Sequence, residues 1–118
     1  MPKRNVALYI DDILDSISAI QSFTAGLSFE GFAQDRKTYS ATIREYIVIG
    51  EAIVALKEPL ENRFPDYSWR MIKDFRNFIV HQYFGIDARI IWDLTTQELP
   101  ELENMVRQLQ KQLLSTPS

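Results

Sequence analysis

VALYIDDILDSISAIQSF, residues 6–23, repeats its apolar side chains at helical spacing. Ile10, Ile13, Leu14, Ile17 and Ile20 form one stripe on a helix of 3.6 residues per turn. Asp11, Asp12, Asp15 and Ser16 are expected on the wet side, and Gly26 supplies a stop. The same period governs the rest of the chain. SFEGFAQD, residues 28–35, reads as a turn or short helix whose Phe29 and Phe32 can cap the end of a bundle. A long helix is expected from about Arg36 to Leu56. Between Tyr46 and Leu56 its only charge is Glu51, so it must be covered on more than one side, by a central position in the bundle and by a subunit interface. Glu51 in that setting reads as a paired structural carboxylate.

Pro59 kinks or restarts the chain before a turn at Phe64, Pro65 and Asp66. Another helix follows, with Asp66 or Ser68 as N-cap and Gly85 as its stop. Asp87 can cap the next one, ARIIWDLTTQ, with Ile90, Ile91 and Leu94 facing inward. Glu98-Leu99-Pro100 marks a bend into a last amphipathic helix through Leu114, and the final residues should fray. Trp69 and Trp92 read as core or interface aromatics. No strand pattern competes, and the four glycines form no phosphate-binding loop. The fold class is all-α, a four- to five-helix bundle, expected as one domain over residues 1–118.

Composition narrows the function. With 46% hydrophobic and 25% charged residues, the chain is that of a globular protein, and no apolar stretch approaches the roughly 20 residues of a membrane span. No signal peptide is expected, so a cytoplasmic location is. There is no cysteine and one histidine, which rules out disulfides, thiolate zinc sites and a histidine-rich metal site within one chain; no metal and no cofactor is expected. A net charge of -3 argues against nonspecific coating of nucleic acid. Yet between residues 63 and 89, Arg63, Arg70, Lys73, Arg76 and Arg89 outnumber Asp66, Asp74 and Asp87, a local charge of +2.

That basic zone holds RNFIVHQY, residues 76–83, and with it the single histidine. On a helix Arg76 and Tyr83 lie within roughly 20° of each other, and Asn77 and His81 share a neighbouring stripe. One face then offers a permanent cation, an amide, an imidazole and a phenol, a set suited to gripping a phosphate and moving protons beside it. Each has a plainer alternative: Arg76 in a helix ion pair, Tyr83 in packing, Asn77 in structure, Lys73 as a solvated lysine on the same arc.

DDIL at 11–14, AGLSFEGFAQDRKT at 25–38, IGEAI at 49–53, RFPDYSWRMIKDFRNFIVHQYFGID at 63–87 and IIWDLTTQELPEL at 90–102 together resemble the HEPN superfamily, and within it the HepT-like branch of minimal ribonuclease toxins. The resemblance covers nearly the whole chain. It implies a dimer in which two RxxxxH motifs face one cleft and act as a metal-independent endoribonuclease on tRNA or mRNA. It also implies a partner, a minimal nucleotidyltransferase antitoxin of an HEPN/MNT toxin–antitoxin pair, which binds the toxin and can transfer AMP to the motif tyrosine. Carried over, Arg76 and His81 match the catalytic pair, Asn77 the polar residue beside it, and Tyr83 the modification site. Lys73 is a tentative RNA contact. Ser68 departs from the pattern, which has proline before the tryptophan. The alternatives are a noncatalytic HEPN module that binds nucleotide or scaffolds a nucleotidyltransferase, and a purely structural helical dimer.

Overall fold

The computed structural model describes residues 5–67, 69 and 87–115. Among them there is no strand, and the architecture is an all-α bundle of the HEPN type. Helix α1 (Val6–Thr24) starts where Asn5 Oδ1 accepts the Ala7 N–H at 2.8 Å. It ends before Gly26, whose φ of 76° is the left-handed conformation that glycine adopts without strain. Ile10, Ile13, Ile17 and Ile20 are all but fully buried, each contributing about 1.5–3 kcal/mol by leaving water. Leu14 is half-buried. Ser16, expected on the wet side, is instead buried at 3% exposure. It falls between Ile13 and Ile20 on the core stripe, where its small side chain occupies little of the space between packed helices.

Helix α2 (Phe29–Gln34) is capped by Ser28 Oγ, which accepts the Gly31 N–H. Its Phe32 is fully buried and meets Tyr39 and Trp92 at ring separations of 5.9 and 5.4 Å. Phe29 meets Trp92 edge-on at 6.4 Å. The two phenylalanines thus close one end of the bundle, as expected, with Trp92 as their partner. Helix α3 (Arg36–Ala55) begins at Asp35, whose carboxylate accepts both the Thr38 N–H and the Thr38 hydroxyl. It packs most extensively on α1 and buries Thr42, Ile43, Tyr46, Ile49, Gly50, Ala52 and Ile53. Its opposite face is open: Val48 and Val54 are 37% and 40% exposed. Glu51 lies on this exposed side, not in the apolar setting expected of it.

Pro59 does mark a restart. Helix α4 (Lys57–Arg63) begins two residues before it, so the missing proline N–H falls in the first turn, where no intrahelical acceptor exists for it. Helix α5 (Ala88–Asp93) is capped by Asp87, whose Oδ1 accepts the Arg89 N–H at 2.8 Å. It buries Ile91, but Ile90, expected inward, is 44% exposed. Neighbouring helix positions lie about 100° apart, so a six-residue helix that seats Ile91 turns Ile90 outward.

The expected bend at residues 98–100 is a π turn, Leu94–Glu98, in an unbroken helical run that continues as α6 (Leu99–Ser115). The Leu99 N–H reaches back five residues to the Leu94 carbonyl. Pro100 has no N–H to offer the next carbonyl, and the wider turn accommodates that loss. Threonine hydroxyls satisfy the carbonyls upstream: Thr95 Oγ1 donates to Ile91 O at 2.8 Å and Thr96 Oγ1 to Trp92 O at 3.0 Å. Leu99, Leu102, Met105, Val106 and Leu109 then complete the core from α6, and Gln21 of α1 donates to Glu103 of α6 at 3.0 Å. No helix among the described residues is long and apolar enough to cross a membrane.

Candidate functional site

Arg76, Asn77, His81, Tyr83 and Lys73, with the expected caps Ser68 and Gly85, lie outside the described residues. What the structure describes is the frame on either side of them. On the N-terminal side, the Phe64 carbonyl accepts the Tyr67 N–H at 3.2 Å and the Trp69 indole N–H at 2.9 Å. The Trp69 N–H in turn bonds to Tyr67 O at 2.9 Å. This closed turn leaves Pro65 and Asp66 in solvent and drives Trp69 into the core at 4% exposure, with the Tyr67 ring edge-on to it at 4.6 Å. The tryptophan is therefore a core anchor where the motif segment begins.

On the C-terminal side the anchor is Ile91, fully buried one turn after the Asp87 cap. The next turn is tied to the central helix by a buried bond of 2.6 Å between Tyr46 Oη and Thr95 Oγ1. Because the single Thr95 hydroxyl proton already points to Ile91 O, the Tyr46 phenol is the donor. Burial pushes the Tyr46 phenol well above the ordinary tyrosine range. The described residues that flank the motif segment, Trp69 and Ile91, are thus both packed into one core.

The two described cations of the basic zone, Arg63 and Arg89, differ in their surroundings. Arg89 is drawn into structure: its guanidinium sits 3.7 Å over the Phe29 ring and 3.9 Å from Asp93. Arg63 instead lines an open cavity of about 330 Å³, together with Phe64, Pro65, Asp66, Tyr67, Glu101 and Met105. The Tyr67 hydroxyl points to Glu98 at 3.5 Å. Burial, with the nearby Glu98 and Glu101 carboxylates, raises its pKa far above the usual value, so it remains a neutral phenol. A second groove, lined by Tyr46, Ile49, Leu94 and Leu102 among others, has room for about one water (~10 Å³) and is apolar. No cluster of three or more histidine, cysteine or acidic side chains able to hold a metal occurs among the described residues.

The larger cavity has no counterpart in the sequence reading. Its walls come from a turn at 63–67 and from one face of α6, more than thirty residues later, and no local spacing links them.

Residues 13–109 match the HepT-like ribonuclease family. A protein of Methanocaldococcus jannaschii named "Putative RNase" is 36% identical over 114 residues, covering 93% of this chain and 94% of its own. "Probable ribonuclease HepT" of Thermococcus cleftensis is 34% identical over 109 residues, 92% of this chain and 99% of its own. A "Putative RNase" of Caldanaerobacter subterraneus is 34% identical over 101 residues, 86% and 90% of the two chains. No solved structure matches the chain. An all-α frame, an RxxxxHxY motif in the sequence and similarity that runs almost the full length of these relatives agree on one placement: the chain belongs to the HepT-like ribonuclease family.

Proposed function

We propose that this protein is a metal-independent RNA endonuclease, the toxin of a type II/VII HEPN/MNT toxin–antitoxin pair, working in the cytoplasm. Its similarity to the ribonucleases above supports the activity, and the motif supplies the chemistry. RNA carries its own nucleophile. A base removes the 2′-hydroxyl proton, the 2′-oxygen attacks phosphorus, Arg76 offsets the charge on the phosphorane, and an acid protonates the departing 5′-oxygen. The products are a 2′,3′-cyclic phosphate and a 5′-hydroxyl. A free imidazole has a pKa of about 6.5, which suits either proton role, and His81 is the chain's one histidine. Asn77 orients the imidazole or binds the phosphate, and Lys73 contacts the RNA.

One histidine cannot serve as base and acid in the same step, whereas a homodimer brings two to one cleft. The open Val48 and Val54 face of α3 supports such a dimer. A nucleotidyltransferase antitoxin completes the pair. It binds the toxin and transfers AMP from ATP to the Tyr83 oxygen, releasing pyrophosphate. The added negative charge and bulk occupy Arg76 and repel RNA.

The observation that carries this reading is the full motif inside a chain of the ribonuclease family. Incubation of the purified protein with total RNA in EDTA tests it: cleavage persists in the chelator, is lost in His81→Ala and Arg76→Ala, and spares a substrate with 2′-deoxyribose at the cut. Activity that needs added Mg²⁺ refutes the mechanism. Intact-mass analysis after incubation with antitoxin and ATP shows AMP on Tyr83, and none on Tyr83→Phe.

A further inference from the structure

The cavity beside the Phe64–Tyr67 turn is built as a recognition pocket, and neither the family match nor the proposed chemistry uses it. Its volume of about 330 Å³ is at the lower end of the range for small-ligand sites, roughly 300–1,000 Å³. Its walls are set in advance. The Phe64 carbonyl is held by two donors, the Tyr67 ring is braced against the buried Trp69, and Met105 is only 9% exposed. A ligand entering here does not need to order the turn first.

The lining selects the ligand. Arg63 is opposed by Asp66 and Glu101, so the pocket is formally negative and would repel a phosphate seated within it. It suits a flat, neutral group that both donates and accepts hydrogen bonds. Phe64 and Tyr67 are among the lining residues, and aromatic side chains are the usual partners for such a group by stacking. Among the bases, guanine alone presents two adjacent donors, N1–H and N2–H, which a carboxylate can receive side by side, and two adjacent acceptors, O6 and N7, which a guanidinium can fork. Adenine offers no donor pair to a carboxylate. The pocket also stands at the start of the segment that carries Arg76 and His81, ten and fifteen residues beyond Asp66.

We propose that this cavity receives an unpaired guanine of the RNA, with Glu101 reading N1–H and N2–H and Arg63 reading O6 and N7, and that it thereby fixes where the strand is cut. The proposal rests on the ribonuclease reading for its substrate, but the pocket can be tested without cleavage.

Met105 is one of three methionines and lines the cavity, so a protein with ¹³C-methyl methionine reports occupancy through that residue's signal. Titration with 5′-GMP moves the Met105 signal. AMP, CMP and UMP do not, and inosine 5′-monophosphate, which lacks the N2 amine, binds about tenfold more weakly. Glu101→Gln and Arg63→Gln, both at exposed positions, each weaken GMP binding by about tenfold or more. In cleavage mapped on a random RNA pool, the wild-type protein cuts at a fixed distance from a guanine, and both variants lose that preference.

An unmoved Met105 signal at millimolar GMP overturns the proposal, as do equal shifts with all four nucleotides. A signal that responds to arginine amide or spermidine instead would assign the pocket to a cationic partner. Selective GMP binding with a cut map indifferent to guanine would refute the role in positioning the strand. If the protein cuts no RNA at all, the functional reading fails, while the titration still decides the pocket.

Discussion

The hydrogen-bond chain from Tyr46 through Thr95 to Ile91 fixes an order of mutational costs that depends on which hydroxyl donates. Thr95 has one proton and gives it to the Ile91 carbonyl at 2.8 Å, so Tyr46 donates at 2.6 Å. Tyr46→Phe removes that donor and leaves the Thr95–Ile91 bond in place, a loss of about 1 kcal/mol for one net hydrogen bond. Thr95→Val keeps the side-chain shape but removes both bonds, taking the acceptor from a buried phenol and the donor from a buried carbonyl. The expected cost is about 2–3 kcal/mol. Urea unfolding followed by far-UV circular dichroism, at one fixed protein concentration, measures both. On the Thr95→Val background, Tyr46→Phe should cost less than about 0.5 kcal/mol, giving a coupling of about 1 kcal/mol. The cycle isolates this pair from whatever else the phenol touches. If Tyr46→Phe costs as much as Thr95→Val, or the two add to within about 0.3 kcal/mol, the proposed direction of the chain is wrong.

Thr42 is fully buried on α3 and its hydroxyl has no hydrogen-bond partner among the described residues, so Thr42→Val should raise stability by about 1 kcal/mol in the same urea assay. The Thr38 hydroxyl, with its backbone N–H, holds the Asp35 carboxyl below its ordinary value of 3.8. That contribution is therefore present above the unfolded-state value and disappears as pH falls through the folded one; thermal melts of wild type and Asp35→Ala should differ at neutral pH and converge in acid. Tyr46 has the opposite sign: its folded pKa lies above the ordinary 10.0, so the unfolded chain releases that proton first and stability drops once pH passes about 10. Tyr46→Phe should flatten this alkaline decline. For the proposed dimer, Val48→Lys on the open face of α3 should convert the protein to monomer in analytical ultracentrifugation and abolish RNA cleavage while leaving helix content unchanged.

The sequence made the helices legible wherever a cap and an apolar stripe agreed. Asp87 accepts the Arg89 N–H at the start of the helix it was read to cap, and Ile10, Ile13, Ile17 and Ile20 lie where their spacing puts them. Ser16 was misread because residue type stood in for position: a serine on a core stripe is buried by its neighbours. Ile90 was misread because two adjacent isoleucines were both placed inward, whereas this short helix seats Ile91 and leaves its neighbour, about 100° round the axis, in solvent. The π turn was unreadable, since Leu94–Glu98 has the composition of an ordinary helix. Only Pro100, and threonines able to bond back to upstream carbonyls, hint at it. For the site, the motif was legible as chemistry, while Arg76 to Tyr83 lie outside the described residues. The cavity lined by Arg63 and Glu101 could not be read at all, because its walls are distant in sequence and come together only through tertiary packing.

The chain has two tryptophans, and they stand on opposite sides of segment 70–86. Trp69, sealed in the core with its indole N–H bonded to a carbonyl and the Tyr67 ring 4.6 Å away, should emit at short wavelength and collect excitation from that tyrosine. Trp92, half-exposed among Phe29 and Phe32, should emit further to the red and be more open to collisional quenchers. The native protein therefore carries its own two-colour optical gauge, one lamp at each end of the segment that bears the histidine. With Trp92→Phe and Trp69→Phe as single-lamp versions, stopped-flow mixing could time, without any dye, which end responds first when RNA arrives.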